Sequence, residues 1–72
     1  MTLRNYAFNL TCEDGDEFWG KTGQKGWMIT RNYSQAAALK TVQNYTPGGW
    51  KIEYVGVTSR EPGLHPTGGH LS

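Results

Sequence analysis

One helical segment in a short chain sets the strongest limit on the fold. Residues 35–45 hold three alanines and neither glycine nor proline, and Ser34 precedes them as a favourable N-cap. The segment ends at residues 46–49, where proline cannot extend a helix and glycine permits a reversal. Its apolar residues recur at helical spacing and are predicted to form the buried stripe: Ala38, Leu39, Val42 and Tyr45.

Apolar and polar side chains alternate before this helix, which predicts strands. Residues 3–12 alternate with a period of two, and Asp14-Gly15 then supplies a tight turn. A second strand is predicted at residues 17–22 and a third at residues 27–30. The apolar face of the first strand is formed by alternate residues: Tyr6, Phe8, Leu10 and Cys12.

A fourth strand, at residues 50–59, follows the helix, so that the predicted order is β-β-β-α-β. This is an α+β fold, a small antiparallel sheet with one helix packed on one face. The sequence leaves open whether the last strand pairs with the first or lies at an edge. Residues 1–60 are predicted to form a single domain. Residues 61–72 contain two prolines and three glycines, and they are predicted to be a flexible tail.

The chain is too short to carry a large core. It has 72 residues, three tryptophans and a single cysteine, so no internal disulfide can stabilise it. A homodimer would cover apolar surface that one short helix leaves exposed. No apolar run approaches the roughly 20 residues of a membrane span. The first residues lack the apolar h-region of a secretory signal, so no such signal is expected. A cytoplasmic location is therefore expected.

The sequence offers poor candidates for catalysis or metal binding. Cys12 could act as a nucleophile with His65 or His70 as its base, but both histidines lie in the predicted tail. The acidic turn at residues 13–17 lacks the spacing of a calcium loop, and the histidines and cysteine lack that of a metal site. We therefore expect no enzyme activity, no cofactor and no metal.

Basic residues interleaved with aromatic ones point to binding. Aromatic and arginine side chains anchor protein interfaces, and the same mixture can track phosphates and stack on bases. Trp19, Lys21 and Lys25 lie on or beside a predicted hairpin end, while Lys40 and Asn44 lie on the predicted exposed face of the helix. These five residues are the candidate partner contacts.

The passage from helix to strand resembles one found in small phage proteins. The letters YSQA at 33–36 run into the helix, and PGGWKIE at 47–53 leads into the next strand. In layout, residues 33–54 are similar to anti-CRISPR proteins, a group of small phage-encoded host-takeover proteins. The resemblance implies binding to a CRISPR effector complex and a block of DNA recognition. No motif aligns residue by residue, so it assigns no contact residue.

Two functions follow as expectations. The first is a non-enzymatic binding protein, encoded by a phage or mobile element, that inhibits a host protein or nucleoprotein machine by occupying its surface. The second is a small nucleic-acid-binding protein that uses basic and aromatic residues of the sheet and loops. The formal net charge of +1 disfavours the second, because dedicated nucleic-acid domains carry a stronger basic footprint.

Overall fold

A computed structural model describes residues 2–15, 20–46 and 48–71. The strands are β1 (Arg4–Cys12), β2 (Lys25–Asn32), β3 (Trp50–Thr58) and β4 (Gly63–His65), and helix α1 (Gln35–Tyr45) stands between β2 and β3. The strands form one antiparallel sheet in the order β3-β1-β2-β4. The predicted α+β fold with an antiparallel sheet and one helix is confirmed. No helix in the described part of the chain has the length and apolar character of a membrane span.

The order of the strands along the chain differs from the predicted one. Of the strand predicted at residues 17–22, residues 17–19 lie outside the described part, Gly20 forms an isolated bridge, and residues 22–23 form a turn. Two strands, β1 and β2, joined by a long connection therefore replace the three consecutive strands predicted before the helix. The fourth strand, β4, lies in the segment predicted to be a flexible tail, and it pairs with β2.

The core lies between the sheet and α1, which packs over β2 and β1. The alternation of β1 predicted its buried face correctly. That face packs with residues from β2 and α1, and the buried cluster consists of Tyr6, Phe8, Leu10, Met28, Ala38 and Val42. Trp50 and Ile52 of β3 pack against its margin. The prediction that Leu39 and Tyr45 share the buried stripe is wrong, because their side chains are 37% and 66% exposed.

Strand β3 pairs with β1 and also forms an edge of the sheet, so both alternatives left open by the sequence hold. A bulge interrupts it, because Ala7 pairs with Gly56 and Phe8 pairs with Tyr54, which leaves Val55 as an extra residue. Gly56 takes a φ of 149°, which favours glycine. The extra residue places Val57 opposite Tyr6, on the helix side of the sheet, whereas unbroken alternation from Trp50 would place it on the other face with Lys51.

Helix α1 begins at a side-chain cap, which gives a direct test of its stability. The Ser34 hydroxyl accepts a hydrogen bond from the Ala37 amide at 3.2 Å. Ser34→Ala is expected to lower the free energy of unfolding by about 1 kcal/mol, because this amide loses its partner. Urea denaturation followed by circular dichroism measures the change. The exposed Gln35 is the control, since Gln35→Ala leaves the cap intact. Equal losses in the two variants would show that the cap does not hold the helix.

Candidate binding surface

The face of the sheet opposite α1, which we call the tail face, is formed by alternate residues of the two central strands. Its members in β1 are Asn5, Ala7, Asn9 and Thr11, and their partners in β2 are Arg31, Ile29, Trp27 and Lys25. Ala7 and Ile29 are buried although the helix lies on the other side. Their burial shows that this face is covered, and residues of the C-terminal segment lie on it.

Residues 66–71, which we call the C-terminal crossing, run from β4 back over the tail face. Asn9, in the middle of β1, makes two hydrogen bonds to the end of this segment through its side-chain amide. Its Nδ2 donates to the Leu71 carbonyl at 2.9 Å, and the Leu71 amide donates to Oδ1 at 2.7 Å. Leu71 and Ala7 line one open groove together with the bulged end of β3. The terminal residues are thus tied to the centre of the sheet.

His70 adds a second attachment of the C-terminal crossing to β1. Its Nε2 lies 2.9 Å from the Thr11 hydroxyl oxygen and 3.0 Å from the Leu10 carbonyl oxygen. Further along, the Gly69 amide donates to the Lys25 carbonyl at 3.1 Å, and Gln24 Nε2 donates to the Pro66 carbonyl at 2.8 Å. These contacts reach both central strands, so the C-terminal crossing spans them.

An aromatic stack stands where β4 meets β2. The rings of Trp27 and His65 lie 4.2 Å apart between centroids, with 26° between their planes. Gly68 closes over the indole edge, since a Cβ atom at this glycine would lie 2.9 Å from Trp27 Nε1. At Gly26 a Cβ would lie only 2.5 Å from the His65 carbonyl oxygen. Both glycines therefore permit the close approach of the C-terminal chain to β2.

Three basic side chains lie on the same face of the sheet as this stack. Lys25 and Arg31 of β2 share this face with Trp27, and Lys51 of β3 lies opposite Thr11. All three cations are exposed, and the carboxylate of Glu53, opposite Asn9, lies on the same face. The tail face thus combines positive charge with a half-buried aromatic stack. This arrangement suits an acidic partner surface.

The five predicted contact residues fall into separate places. Trp19 lies outside the described residues. Lys21 and Lys25 are both exposed and are joined by a tight turn, in which the Gln24 amide donates to the Lys21 carbonyl at 2.9 Å. Lys40 and Asn44 are exposed on α1, on the other side of the sheet. The structure therefore brings Lys21 and Lys25 together and separates them from the helical pair.

The residues considered for catalysis are also separated. Cys12 is fully buried in line with the helix-facing side chains of β1, whereas His65 and His70 lie on the tail face. The sheet stands between the thiol and both imidazoles. Within the described ranges no group of three or more histidine, cysteine or acidic residues could hold a metal ion.

Sequence reasoning missed the C-terminal crossing and the residues that attach it. The available signal was Asn9, an amide in the middle of an otherwise regular strand, where a polar side chain on a covered face needs hydrogen-bond partners. Comparisons of the chain with protein-family models, with curated proteins and with solved structures find no match.

Proposed function

We propose that this chain is a non-enzymatic binding protein that inhibits a host protein or nucleoprotein machine by occupying an acidic part of its surface. The observation that carries the proposal is the presence of exposed Lys25, Arg31 and Lys51 on the same face of the sheet as the Trp27–His65 stack. Opposed charges would speed the encounter with such a partner and orient it. The aromatic stack would supply the apolar contact that interfaces use as anchors.

A CRISPR effector complex is the first machine to test. The resemblance in layout of residues 33–54 to anti-CRISPR proteins supports this choice. The proposal includes an origin in a phage or mobile element and action in the host cytoplasm, which the same resemblance implies. Such complexes hold their nucleic acids in positively charged channels. The proposed target is therefore an acidic part of the protein surface outside that channel.

Charge reversal distinguishes the tail face from the helix as the binding surface. Lys25→Glu is expected to weaken binding by about tenfold, which corresponds to about 1.4 kcal/mol, because an attraction becomes a repulsion at the partner's acidic surface. Lys40→Glu makes the same charge change on α1, across the sheet, and should leave the affinity unchanged. The affinity of purified effector complex for immobilised wild-type and variant chains measures both effects.

Two further readouts complete this experiment. The thermal midpoints of both variants should match that of the wild type, since both lysines are exposed. Inhibition of target-DNA binding by the effector complex should follow the affinity. If Lys40→Glu weakens binding and Lys25→Glu does not, the helix is the contact surface and the tail-face assignment fails. For other machines, capture from a bacterial lysate, with and without nuclease, gives the candidates to which the same two variants are applied.

Direct nucleic-acid binding is the second candidate, because exposed lysines and arginine on a sheet face can track phosphates. The Trp27 ring argues against base stacking, since His65 already covers one of its faces and Gly68 closes its edge. An affinity for single-stranded DNA that falls steeply with salt, together with lysate capture that disappears after nuclease treatment, would favour this function over the first.

A further inference from the structure

Strand β3 presents an open edge whose hydrogen-bonding groups can be assigned residue by residue. The Glu13 amide donates to the Gly49 carbonyl at 2.8 Å, which fixes the alternation along the pair of β1 and β3. The register then directs the main-chain groups of Lys51 and Glu53 toward β1. The amides and carbonyls at 50, 52 and 54 therefore point away from the sheet. No hydrogen bond from another described residue reaches them.

The bulge limits how much of this edge is regular. It begins after Tyr54, where Val55 becomes the extra residue, and it bends the strand away from a flat pairing geometry. The regular edge therefore consists of residues 50–54, with Ile52 at its centre. Helix α1 lies over β1 and β2, so the apolar side of this edge is only partly covered. Tyr54 remains 39% exposed and Ile52 is half-buried.

We propose that a second copy of this chain pairs with this edge, antiparallel, across a two-fold axis at Ile52. In that register Ile52 lies opposite Ile52 of the second copy, and Trp50 lies opposite Tyr54. The residues with outward-pointing groups then exchange hydrogen bonds with one another, as antiparallel pairing requires. Trp50 and Tyr54 meet on the helix side, where an aromatic pair across two strands is favourable.

Charge selects this register over its neighbours. With the axis at Ile52, Lys51 of each copy lies opposite Glu53 of the other, so two opposite-charge pairs form on the tail side. Moving the axis one residue toward Trp50 places the two Lys51 side chains opposite each other. Moving the axis one residue toward Tyr54 places the two Glu53 side chains opposite each other. Like charges directly opposite are destabilising, so the strand is complementary to itself in one of the three registers.

The resulting dimer leaves the other surfaces accessible. Two four-stranded sheets would join through β3 into one continuous sheet, with both helices on one side and both tail faces on the other. The open edge, which would otherwise expose unpaired main-chain groups, becomes internal. Because the pairing uses residues 50–54, it takes up Lys51 of each copy, and the cations that stay free for a partner on each tail face are Lys25 and Arg31.

The register makes a test by charge exchange possible. Sedimentation equilibrium at increasing concentration should show the wild type moving from its 8.0-kDa monomer to a species of twice that mass. Lys51→Glu and Glu53→Lys should each raise the dimer dissociation constant by about tenfold, because each replaces two attractive pairs with two repulsive ones. Lys40→Glu, on the helix, should not change the constant.

Mixing the two single variants should restore association. A Lys51→Glu chain carries two carboxylates on the edge and a Glu53→Lys chain carries two ammonium groups, so the mixed pair is complementary at both positions. The double variant, with both charges exchanged, should dimerise as the wild type does. A wild type that stays monomeric at millimolar concentration would overturn the proposal, as would single variants that dimerise normally. A peptide strand of another protein would then be the remaining occupant of this edge.

Discussion

Replacing Phe8 by alanine is expected to remove a large part of the free energy of unfolding of this chain. Its side chain is 1% exposed at the centre of the core, paired with Met28 on one side and with Tyr54 on the other. The Phe8 and Tyr54 rings lie 5.4 Å apart between centroids. Truncating a buried phenylalanine costs about 3–5 kcal/mol. A 72-residue domain has a total stability of about 4–10 kcal/mol, so this loss removes much of it. Urea denaturation followed by tryptophan fluorescence measures the loss.

The matched control is Leu39→Ala, which also removes a large apolar side chain. Leu39 lies on the flank of α1 and is 37% exposed, so the loss should stay below about 1 kcal/mol. Alanine also has a higher helix propensity, which offsets part of the lost contact. If Leu39→Ala were to destabilise the chain as much as Phe8→Ala, the helix would have to present a different face to the sheet.

The contrast between these two residues shows how far periodicity predicts a fold. In β1, successive side chains point to opposite faces, so the apolar set Tyr6, Phe8 and Leu10 could be assigned to one face without error. On α1 the same reasoning identified a stripe that was too wide. The buried positions are Ala38 and Val42, whose small side chains let the helix lie close to the sheet. Leu39 and Tyr45 lie on the flanks of the helix. Their exposure depends on the angle at which α1 packs on the sheet, which the spacing of apolar residues does not specify.

The bulge in β3 shows a second limit. An extra residue at Val55 reverses the alternation for the rest of the strand and moves Val57 to the helix side. The sequence Tyr54-Val55-Gly56-Val57 contains a glycine, which is compatible with a bulge and equally with a regular strand. The pairing of β3 with β1 decides whether a bulge or a regular strand forms. The β1 residues involved, Ala7 and Phe8, lie more than forty positions earlier in the chain.

The candidate site was predictable only in part. Lys21 and Lys25 are close in sequence, so a turn suffices to bring them together. Whether Lys25 shares a surface with Lys40 depends on which face of the sheet the helix covers, and the predicted sheet left that face unassigned. The C-terminal crossing is harder still. Its hydrogen bond between Asn9 and Leu71 joins residues 62 positions apart, and glycine and proline give the segment no periodicity to recognise.

Removing residues 61–72 is the second change with a large expected effect. A flexible tail would be lost without consequence, whereas the structure predicts a fall in the free energy of unfolding of at least about 2 kcal/mol. The deletion removes β4, the Trp27–His65 stack and both hydrogen bonds of Asn9. It also uncovers Ile29, which is buried on the side away from the helix. Thermal unfolding of the full and shortened chains, followed by circular dichroism, measures the difference.

A point variant separates attachment from the mere presence of the segment. Asn9→Ala keeps every C-terminal residue but leaves the Leu71 amide and carbonyl without their partner. This substitution should lower the free energy of unfolding by about 1–3 kcal/mol. Asn44→Ala removes the same amide from the exposed face of α1 and should change stability by less than about 0.5 kcal/mol. In the Asn9→Ala chain, the amides of residues 68–71 should exchange with solvent faster than in the wild type, while those of β1 and β2 change less. Equal stability of the full, shortened and Asn9→Ala chains would show that the C-terminal crossing does not hold the tail face, and the burial of Ile29 would then need another cause.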